Sequence, residues 1–260
     1  MNLFYVVNGK KLKQYFILLL AAIFVAGIIY AERSNITVFQ QVSNQPAAIY
    51  SVDTDRKVLA LTFDISWGDT RMDPILEVLN EKNVTKATFF LNAQWAREHP
   101  EIAKKIADSG FEIGSHGLEH KNYSELSDEE IRKQITAAHQ ILSEVTGKTP
   151  SLIRFPNGDI DKRVLAVADS LGYRTIQWDT DPKDWENPGV DRIIGTVVSR
   201  AHPGDIILLH ASDSSKQTHQ ALPTIIDKLR SQGYGFATVS ELINDTDVQG
   251  DRAQEQQKSN

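Results

Sequence analysis

The sequence predicts an α/β fold in which about seven β/α units form a parallel barrel or near-barrel. Short apolar runs, typical of buried strands, alternate with amphipathic segments from Val58 onward. Glycines such as Gly110, Gly147 and Gly172 follow the amphipathic segments, as expected where helices end. An open, doubly wound sheet shows the same alternation, so the pattern alone does not separate these two architectures.

The individual elements follow from local signals along the chain. In the first helix, Asp73 is predicted as the N-cap and Pro74 as the first helical residue. In the third, Ser127 and Glu130 form a predicted capping box. The predicted strands are residues 58–61, 87–91, 111–114, 152–155, 175–178, 206–209 and 236–239. The predicted helices after the first are residues 100–109, 128–146, 162–171, 191–200 and 221–230.

The residues before the first strand predict a membrane segment. Three lysines within residues 10–13 precede an apolar run at residues 15–31, which is at the short end for a membrane-spanning helix. Basic residues before this run and Glu32 after it predict a cytoplasmic segment at residues 1–14 and an extracytoplasmic domain. A cleaved signal peptide ending at Ala31 is the alternative, and it predicts a secreted protein.

The rest of the chain divides into three predicted parts. Residues 32–53 are polar enough to serve as a linker, and residues 54–244 carry the β/α pattern of the folded domain. Residues 245–260 form a polar tail that is predicted to be disordered. A length of 260 residues is enough for one large domain plus attachments, and an apolar content of 41% with a charged content of 24% is ordinary for a globular protein.

Composition and missing motifs exclude several classes of function. A net charge of -6 argues against a nucleic-acid partner, which requires a basic surface. The absence of cysteine excludes disulfides, thiolate metal sites and cysteine nucleophiles. No P-loop, Rossmann fingerprint or Gly-x-Ser-x-Gly elbow occurs, so nucleotide chemistry and serine hydrolysis are not predicted either.

Reactive side chains recur where predicted strands end. Taken singly, each has an ordinary alternative as a turn cap, a solvated histidine or a surface arginine. The carboxyl ends of parallel strands gather at one edge, so these side chains are expected to meet there. Carboxylates, paired imidazoles and a separate histidine are what metal-assisted hydrolysis of an acyl bond needs. They are Asp64 after the first strand, His116 and His120 after the third, Arg154 on the fourth, Asp181 and Asp184 after the fifth, and His210 after the sixth.

Five short motifs resemble those of the polysaccharide deacetylase family, the NodB-homology carbohydrate esterases. The resemblance covers residues 58–242 and implies a distorted (β/α) barrel that removes N-acetyl groups from amino sugars of glycans. Within the family, the chain is most similar to the sporulation deacetylases, which implies a cell-wall or spore-wall glycan, most of all peptidoglycan, as the partner. The motifs are Thr62-Phe63-Asp64, Ser115-His116 through His120, Arg154-Phe155-Pro156-Asn157-Gly158, Asp181 through Asp184-Trp185, and Leu208-Leu209-His210.

The resemblance also implies a role for each residue of the site. These roles are Asp64 as the catalytic base, Arg154 as the residue that orients it, His210 as the catalytic acid, Asp181 as the residue that orients His210, Trp185 and Leu208 as the apolar wall that receives the acetyl methyl group, and His116 and His120 as ligands of a divalent metal, Zn or Co.

One position departs from the family pattern. The family has a second aspartate directly after the base, and this aspartate completes the metal site. Ile65 stands there in this chain and cannot bind a metal, although Asp69 or Glu119 is a candidate replacement. Three outcomes remain open: a weakened metal site, catalysis without metal, or a catalytically inactive protein of the spore envelope that binds glycan without cleaving it.

Overall fold

The computed structural model describes residues 46–244. The predicted membrane or signal segment, most of the predicted linker and the predicted polar tail lie outside the described residues, and they stay predictions. Within the described part, no helix combines the length and apolar character needed to cross a membrane.

Strands and helices alternate as the sequence predicts. The strands are β1 (Val58–Ile65), β2 (Thr88–Leu91), β3 (Glu112–Ser115), β4 (Leu152–Ile153), β5 (Arg174–Thr175), β6 (Ile206–His210) and β7 (Gly235–Phe236). The helices are α1 (Met72–Glu81), α2 (Ala93–Glu98), α3 (Pro100–Asp108), α4 (Asp128–Thr146), α5 (Lys162–Ser170), α6 (Val190–Arg200) and α7 (Thr218–Ser231). Short 3-10 turns occupy Tyr123–Glu125, Pro156–Gly158 and Asp184–Glu186.

The strands form one parallel sheet in the order β5-β4-β3-β2-β1-β6, and β7 also pairs with β1. A short segment after β5 joins the two edges of this sheet. In that segment the Asp179 N–H donates to the Ile206 carbonyl at 3.1 Å, and the Leu208 N–H donates to the Thr180 carbonyl at 2.9 Å. The sheet is therefore a curled half-barrel closed by a bridge, and the open doubly wound alternative is not adopted.

Residues 46–53, predicted as the end of a linker, include a segment that packs on the folded domain. Ile49 pairs with Ile176, and the Val52 N–H donates to the Gly204 carbonyl at 2.9 Å. Gly204 has φ 76°, and a Cβ there would lie 1.7 Å from the Val52 carbonyl oxygen, so only glycine fits. The domain therefore starts before residue 54, because Ile49 and Val52 help to fill the inside of the half-barrel.

Alternation along β1 divides the core into two layers. Phe63 and Ile65 are fully buried against the helices, in the larger apolar cluster. Ala60 packs in a second cluster, together with Phe90 of β2. Because successive side chains of a strand point to opposite faces, Asp64 lies on the face opposite to Ile65, on the inside of the half-barrel.

Several element boundaries differ from the predicted ones. Helix α1 begins at Met72, so Asp73 lies in its first turn and is not the N-cap. Helix α2 was not predicted, and it begins after Asn92, whose side chain accepts from the Trp95 N–H at 3.0 Å. Strand β5 is shorter than predicted. The Ile176 N–H still donates to the Ile153 carbonyl of β4 at 2.8 Å, but the next N–H, of Gln177, donates to the Ile49 carbonyl at 2.7 Å. The capping box of α4 is confirmed.

Candidate active site

A cleft of about 610 Å³ opens at the carboxyl ends of the strands. Seven of the eight predicted site residues line it, and Arg154 lies buried beneath. The cleft is lined by Asp64, Ser66, Trp67, His116, His120, Asn157, Gly158, Trp178, Asp181, Trp185, Leu208, His210, Ser212 and Ser214.

The centre of the cleft is set by the pairing of β1 with β6. These strands are parallel neighbours, and Asp64 is the register partner of His210. The Ala211 N–H continues this pairing by donating to the Asp64 carbonyl at 2.9 Å. A carboxylate and an imidazole that are far apart in sequence are therefore side by side on adjoining strands.

Arg154 fixes the Asp64 carboxylate from below. Its Nη1 donates to Asp64 Oδ1 at 2.8 Å and to Thr62 Oγ1 at 2.8 Å, and its Nη2 donates to the Gln177 carbonyl at 2.9 Å. The guanidinium also stacks over the Phe90 ring, 4.3 Å from its centroid. A two-pronged bond to the carboxylate is not formed, because Nη2 donates to the Gln177 carbonyl instead. Arg154 thus positions Asp64 through one strong, charge-assisted bond.

The environment of Asp64 favours its ionised form. Burial alone would raise the pKa of this carboxyl, but the charge of Arg154, supported by His116 and His210, reverses the effect. The net result is a pKa below the ordinary value. Asp64 is therefore a carboxylate at neutral pH, as a proton acceptor must be.

Asp184, rather than Asp181, orients His210. The His210 Nδ1 donates to Asp184 Oδ1 at 2.7 Å, and the His210 backbone N–H donates to Asp184 Oδ2 at 2.8 Å. Asp184 is fully buried and also accepts from Thr218 Oγ1 at 2.6 Å. Asp181 accepts from the Lys183 N–H instead, at 2.7 Å, and lines the cleft. The expected orienting role of Asp181 therefore needs correction, because the turn directs the other carboxylate to the ring.

The same contacts favour the protonated form of His210. Burial lowers the pKa of this imidazole, but the charge and hydrogen bond of Asp184, with weaker help from Asp64 and Asp181, outweigh burial. The pKa of His210 is raised as a result. Because Asp184 holds Nδ1, Nε2 remains as the ring nitrogen that can give a proton to a ligand.

His116 is held as a neutral imidazole. Its Nδ1 donates to the Arg154 carbonyl at 2.8 Å, which leaves Nε2 unprotonated. Burial is the main reason that the pKa of His116 falls to about 4. The nearest approach of its Nδ1 to Asp64 Oδ2 is 3.9 Å, too long for a hydrogen bond.

His120 lies beside His116 on a loop, not on the turn of a helix. The two ring centroids are 5.6 Å apart. Gly117 makes this loop possible, since it has φ 75° and a Cβ there would lie 2.4 Å from the Tyr123 hydroxyl. Burial lowers the pKa of His120 as well.

The donor set of the cleft does not fit a catalytic zinc site with three protein ligands. Among residues 46–244, no three His, Asp or Glu side chains are grouped so as to hold a metal ion. Neither candidate replacement lines the cleft, and the Glu119 carboxylate pairs with Lys121 instead. His116 and His120 supply two imidazoles of the kind that bind zinc or cobalt, but no third ligand joins them.

Ile65 explains why the third ligand is missing. Its side chain is 0% exposed and packs between the sheet and the helices, on the face of β1 opposite to Asp64. The position therefore contributes buried hydrocarbon to the apolar core and offers no ligand atom.

The sequence-based prediction gave no role to several residues of the site, among them Asp184, Trp67 and Trp178. Asp184 was recognised as a candidate but was not connected to His210. Trp67 and Trp178 line the cleft together with the predicted Trp185 and Leu208. Trp67 lies three residues after Asp64, and an aromatic residue in a post-strand loop was the signal available in the sequence.

Comparisons with known proteins agree with this geometry. A model of the polysaccharide deacetylase family matches residues 51–176. A peptidoglycan-N-acetylglucosamine deacetylase of Bacillus cereus is 36% identical over 197 residues, which are 75% of this chain and 92% of that protein. The YlxY protein of Bacillus subtilis is 32% identical over 204 residues, and the match spans 78% of this chain but 63% of that protein.

Among solved structures, a CE4 family pseudoenzyme from Bacillus anthracis has the same fold. The wild-type protein superposes with a TM-score of 0.72 at 36% identity, over 76% of this chain and 69% of that chain. A mutant of the same protein with restored enzymatic activity superposes with a TM-score of 0.72 at 37% identity, over 76% of this chain and 71% of that chain.

The buried guanidinium of Arg154 generates a prediction about stability. We expect Arg154→Met to lower the free energy of unfolding by about 3–5 kcal/mol, because it leaves the Asp64 carboxylate buried without its partner. Urea denaturation measures this change. The matched control is Arg132→Met on the exposed face of α4, which should change stability by no more than about 0.5 kcal/mol. Equal stability of the two variants would contradict the role given to Arg154.

The contact between Asp184 and His210 generates a second prediction. We expect Asp184→Asn to lower the pKa of His210, because the neutral amide no longer favours the imidazolium. A pH titration of the ring C–H signals by NMR measures this pKa. Asp181→Asn is the control, and it should lower the pKa less, since Asp181 makes a weaker contribution at His210. A larger shift in Asp181→Asn would restore the role first expected for that residue.

Proposed function

Because the chain belongs to the polysaccharide deacetylase family, we propose that it removes acetyl groups from N-acetylated amino sugars of peptidoglycan. The Bacillus cereus relative that is 36% identical acts, by its name, on peptidoglycan N-acetylglucosamine. The proposal extends that class of substrate to this cleft.

The observation that carries the proposal is the pairing of Asp64 with His210. The two side chains are register partners on adjoining strands, and each is held by a buried group of opposite charge. Arg154 keeps the carboxylate ionised, and Asp184 favours the imidazolium. A base and an acid whose environments shift their pKa values in opposite directions are what amide hydrolysis requires.

The chemistry follows from these two groups. A water molecule gives a proton to the Asp64 carboxylate as its oxygen bonds to the carbonyl carbon of the acetamide. The His210 imidazolium then gives its Nε2 proton to the amine nitrogen as the carbon–nitrogen bond breaks. The products are acetate and the free amino sugar. Trp185 and Leu208 line the cleft as apolar side chains suited to contact the acetyl methyl group.

The proposed base is tested by Asp64→Asn. We expect this variant to release acetate from peptidoglycan at about 10²–10⁴-fold lower rate than the parent, because an amide cannot accept the proton of water. Acetate is measured after incubation of the full-length protein with N-acetylated peptidoglycan fragments. Asp69→Asn is the control, since Asp69 is an exposed carboxylate in the loop after the same strand and should leave the rate unchanged. Equal rates in Asp64→Asn and the parent would remove Asp64 from the mechanism.

A second candidate function is favoured by Ile65. With this residue in the apolar core and two imidazoles as the remaining ligand pair, the protein would bind glycan without cleaving it. The Bacillus anthracis relative is a CE4 family pseudoenzyme whose activity a mutant restores, so loss of catalysis has a precedent in this fold. No acetate release by the parent, together with retained glycan binding, would favour this second function.

The two functions are separated by Ile65→Asp. We expect the parent to bind zinc weakly and Ile65→Asp to bind about one zinc ion per chain. A carboxylate is costly in the apolar cluster, and at the last residue of β1 it can turn toward His116 and His120 and supply the third ligand. Acetate release by the variant should exceed that of the parent with zinc added, and EDTA should abolish the gain. Metal content by elemental analysis is read beside the acetate assay.

The control for this experiment is Ile65→Asn, which brings a polar side chain of similar size into the same apolar cluster without a carboxylate. It should show the same loss of stability and no gain of metal or activity. A gain of equal size in Ile65→Asn would show that metal ligation is not the cause.

We also propose that the protein acts outside the cytoplasm during sporulation, either held by a membrane helix at residues 15–31 or released after cleavage. The support is the apolar run with lysines before it, together with the resemblance to sporulation deacetylases. Fractionation of sporulating cells tests this location. A full-length protein in the cytosolic fraction would contradict it.

A further inference from the structure

Trp67 is a large apolar side chain that the fold leaves uncovered. It is 47% exposed although it lines the cleft, and its neighbours in sequence lie in the loop that follows β1. Large exposed apolar side chains beside a cleft mark ligand-binding surfaces more often than isolated ones elsewhere do. The catalytic roles of the site leave Trp67 without an assignment.

The loop that carries Trp67 is held firmly on both sides of the indole. The Ser66 N–H donates to Ser212 Oγ at 2.9 Å, and the Asp213 N–H donates to the Trp67 carbonyl at 3.2 Å. The Gly68 carbonyl accepts from the indole N–H of buried Trp95 at 2.7 Å. The backbone of Trp67 is therefore fixed while its side chain stays exposed.

Gly68 makes this arrangement specific. Its φ is 83°, and a Cβ there would lie 2.2 Å from Asp213 Cγ, so a larger residue would break the loop. Asp213 in turn accepts from the backbone N–H groups of Thr70 and Arg71 at 2.9 and 3.1 Å. Such anchoring lowers the entropy lost when a ligand contacts the indole.

The ring of Trp67 also has a fixed support. It lies edge-on to the His120 imidazole, with ring centroids 5.3 Å apart and an interplanar angle of 79°. Trp185 is a second half-exposed indole of the cleft at 48%, and it follows Asp184, which is fully buried. The cleft thus carries two anchored, half-exposed indoles together with the reactive Asp64 and His210.

We propose that Trp67 is a stacking platform for a pyranose ring of the glycan. A pyranose presents an apolar face of C–H groups and a polar edge of hydroxyls, and an exposed indole matches that face while the serines of the cleft suit the edge. Stacking on Trp67 would position a sugar ring beside the reactive groups. This inference rests on the proposed function, since it takes an N-acetylated glycan as the ligand.

The test measures binding, so that it does not depend on turnover. The probe is the β-1,4-linked hexamer of N-acetylglucosamine, titrated into the full-length protein in EDTA by calorimetry, with an acetate assay afterwards to show that the probe is intact. We expect Trp67→Ala to weaken binding about tenfold and Trp67→Phe to keep it within about threefold, because phenylalanine retains an aromatic face. Tyr50→Ala is the matched control, since Tyr50 is 51% exposed and does not line the cleft.

The outcomes separate the platform from the proposed function. Equal affinity of Trp67→Ala and the parent would overturn the platform and leave the proposed function standing. An equal loss in Tyr50→Ala would also overturn the platform, because any exposed aromatic residue would then have the same effect. A parent that binds no hexamer would overturn the platform for this glycan, whereas the proposed function is decided separately by acetate release from peptidoglycan.

Discussion

The buried contact between Arg154 and Asp64 is the interaction on which the site depends. An unpartnered guanidinium inside a protein is costly, so its hydrogen bonds must be met by the surrounding strands. Thr62 and Asp64 of β1 and the Gln177 carbonyl after β5 accept from its two terminal nitrogens, and the Arg154 carbonyl sets the tautomer of His116. One residue directly after β4 therefore ties together the base, the curled sheet and a histidine of the cleft.

The sequence predicts that the reactive side chains lie close together, because all strands of a parallel sheet run in the same direction. Once strands are recognised from their apolar runs, their carboxyl ends must lie at one edge, whatever the barrel's exact closure. Asp64, His116 and His210 were placed in one cleft on that ground, and the structure places them there. The resemblance to a known family then added roles that spacing alone left open.

Other features depend on the path of the backbone, which local patterns do not specify. Asp181 and Asp184 lie in one turn, and the choice between them is made where Lys183 adopts a left-handed conformation with φ 54°. The bridge after β5 and the docking of Ile49 and Val52 depend on how strongly the sheet curls. Trp67 received no predicted role because the exposure of a side chain is a tertiary property that local patterns do not specify.

The in-register pairing of β1 with β6 limits which mutations the site can accept during evolution. Exchanging one amino acid for another along β6 leaves every neighbour at its place, but adding or deleting a single residue ahead of His210 would rotate all later side chains to the other face. The imidazole would then point toward the helices, while hydrocarbon would face Asp64. Descendants of this protein are therefore free to vary in length in their loops, whereas β6 can accept only replacements.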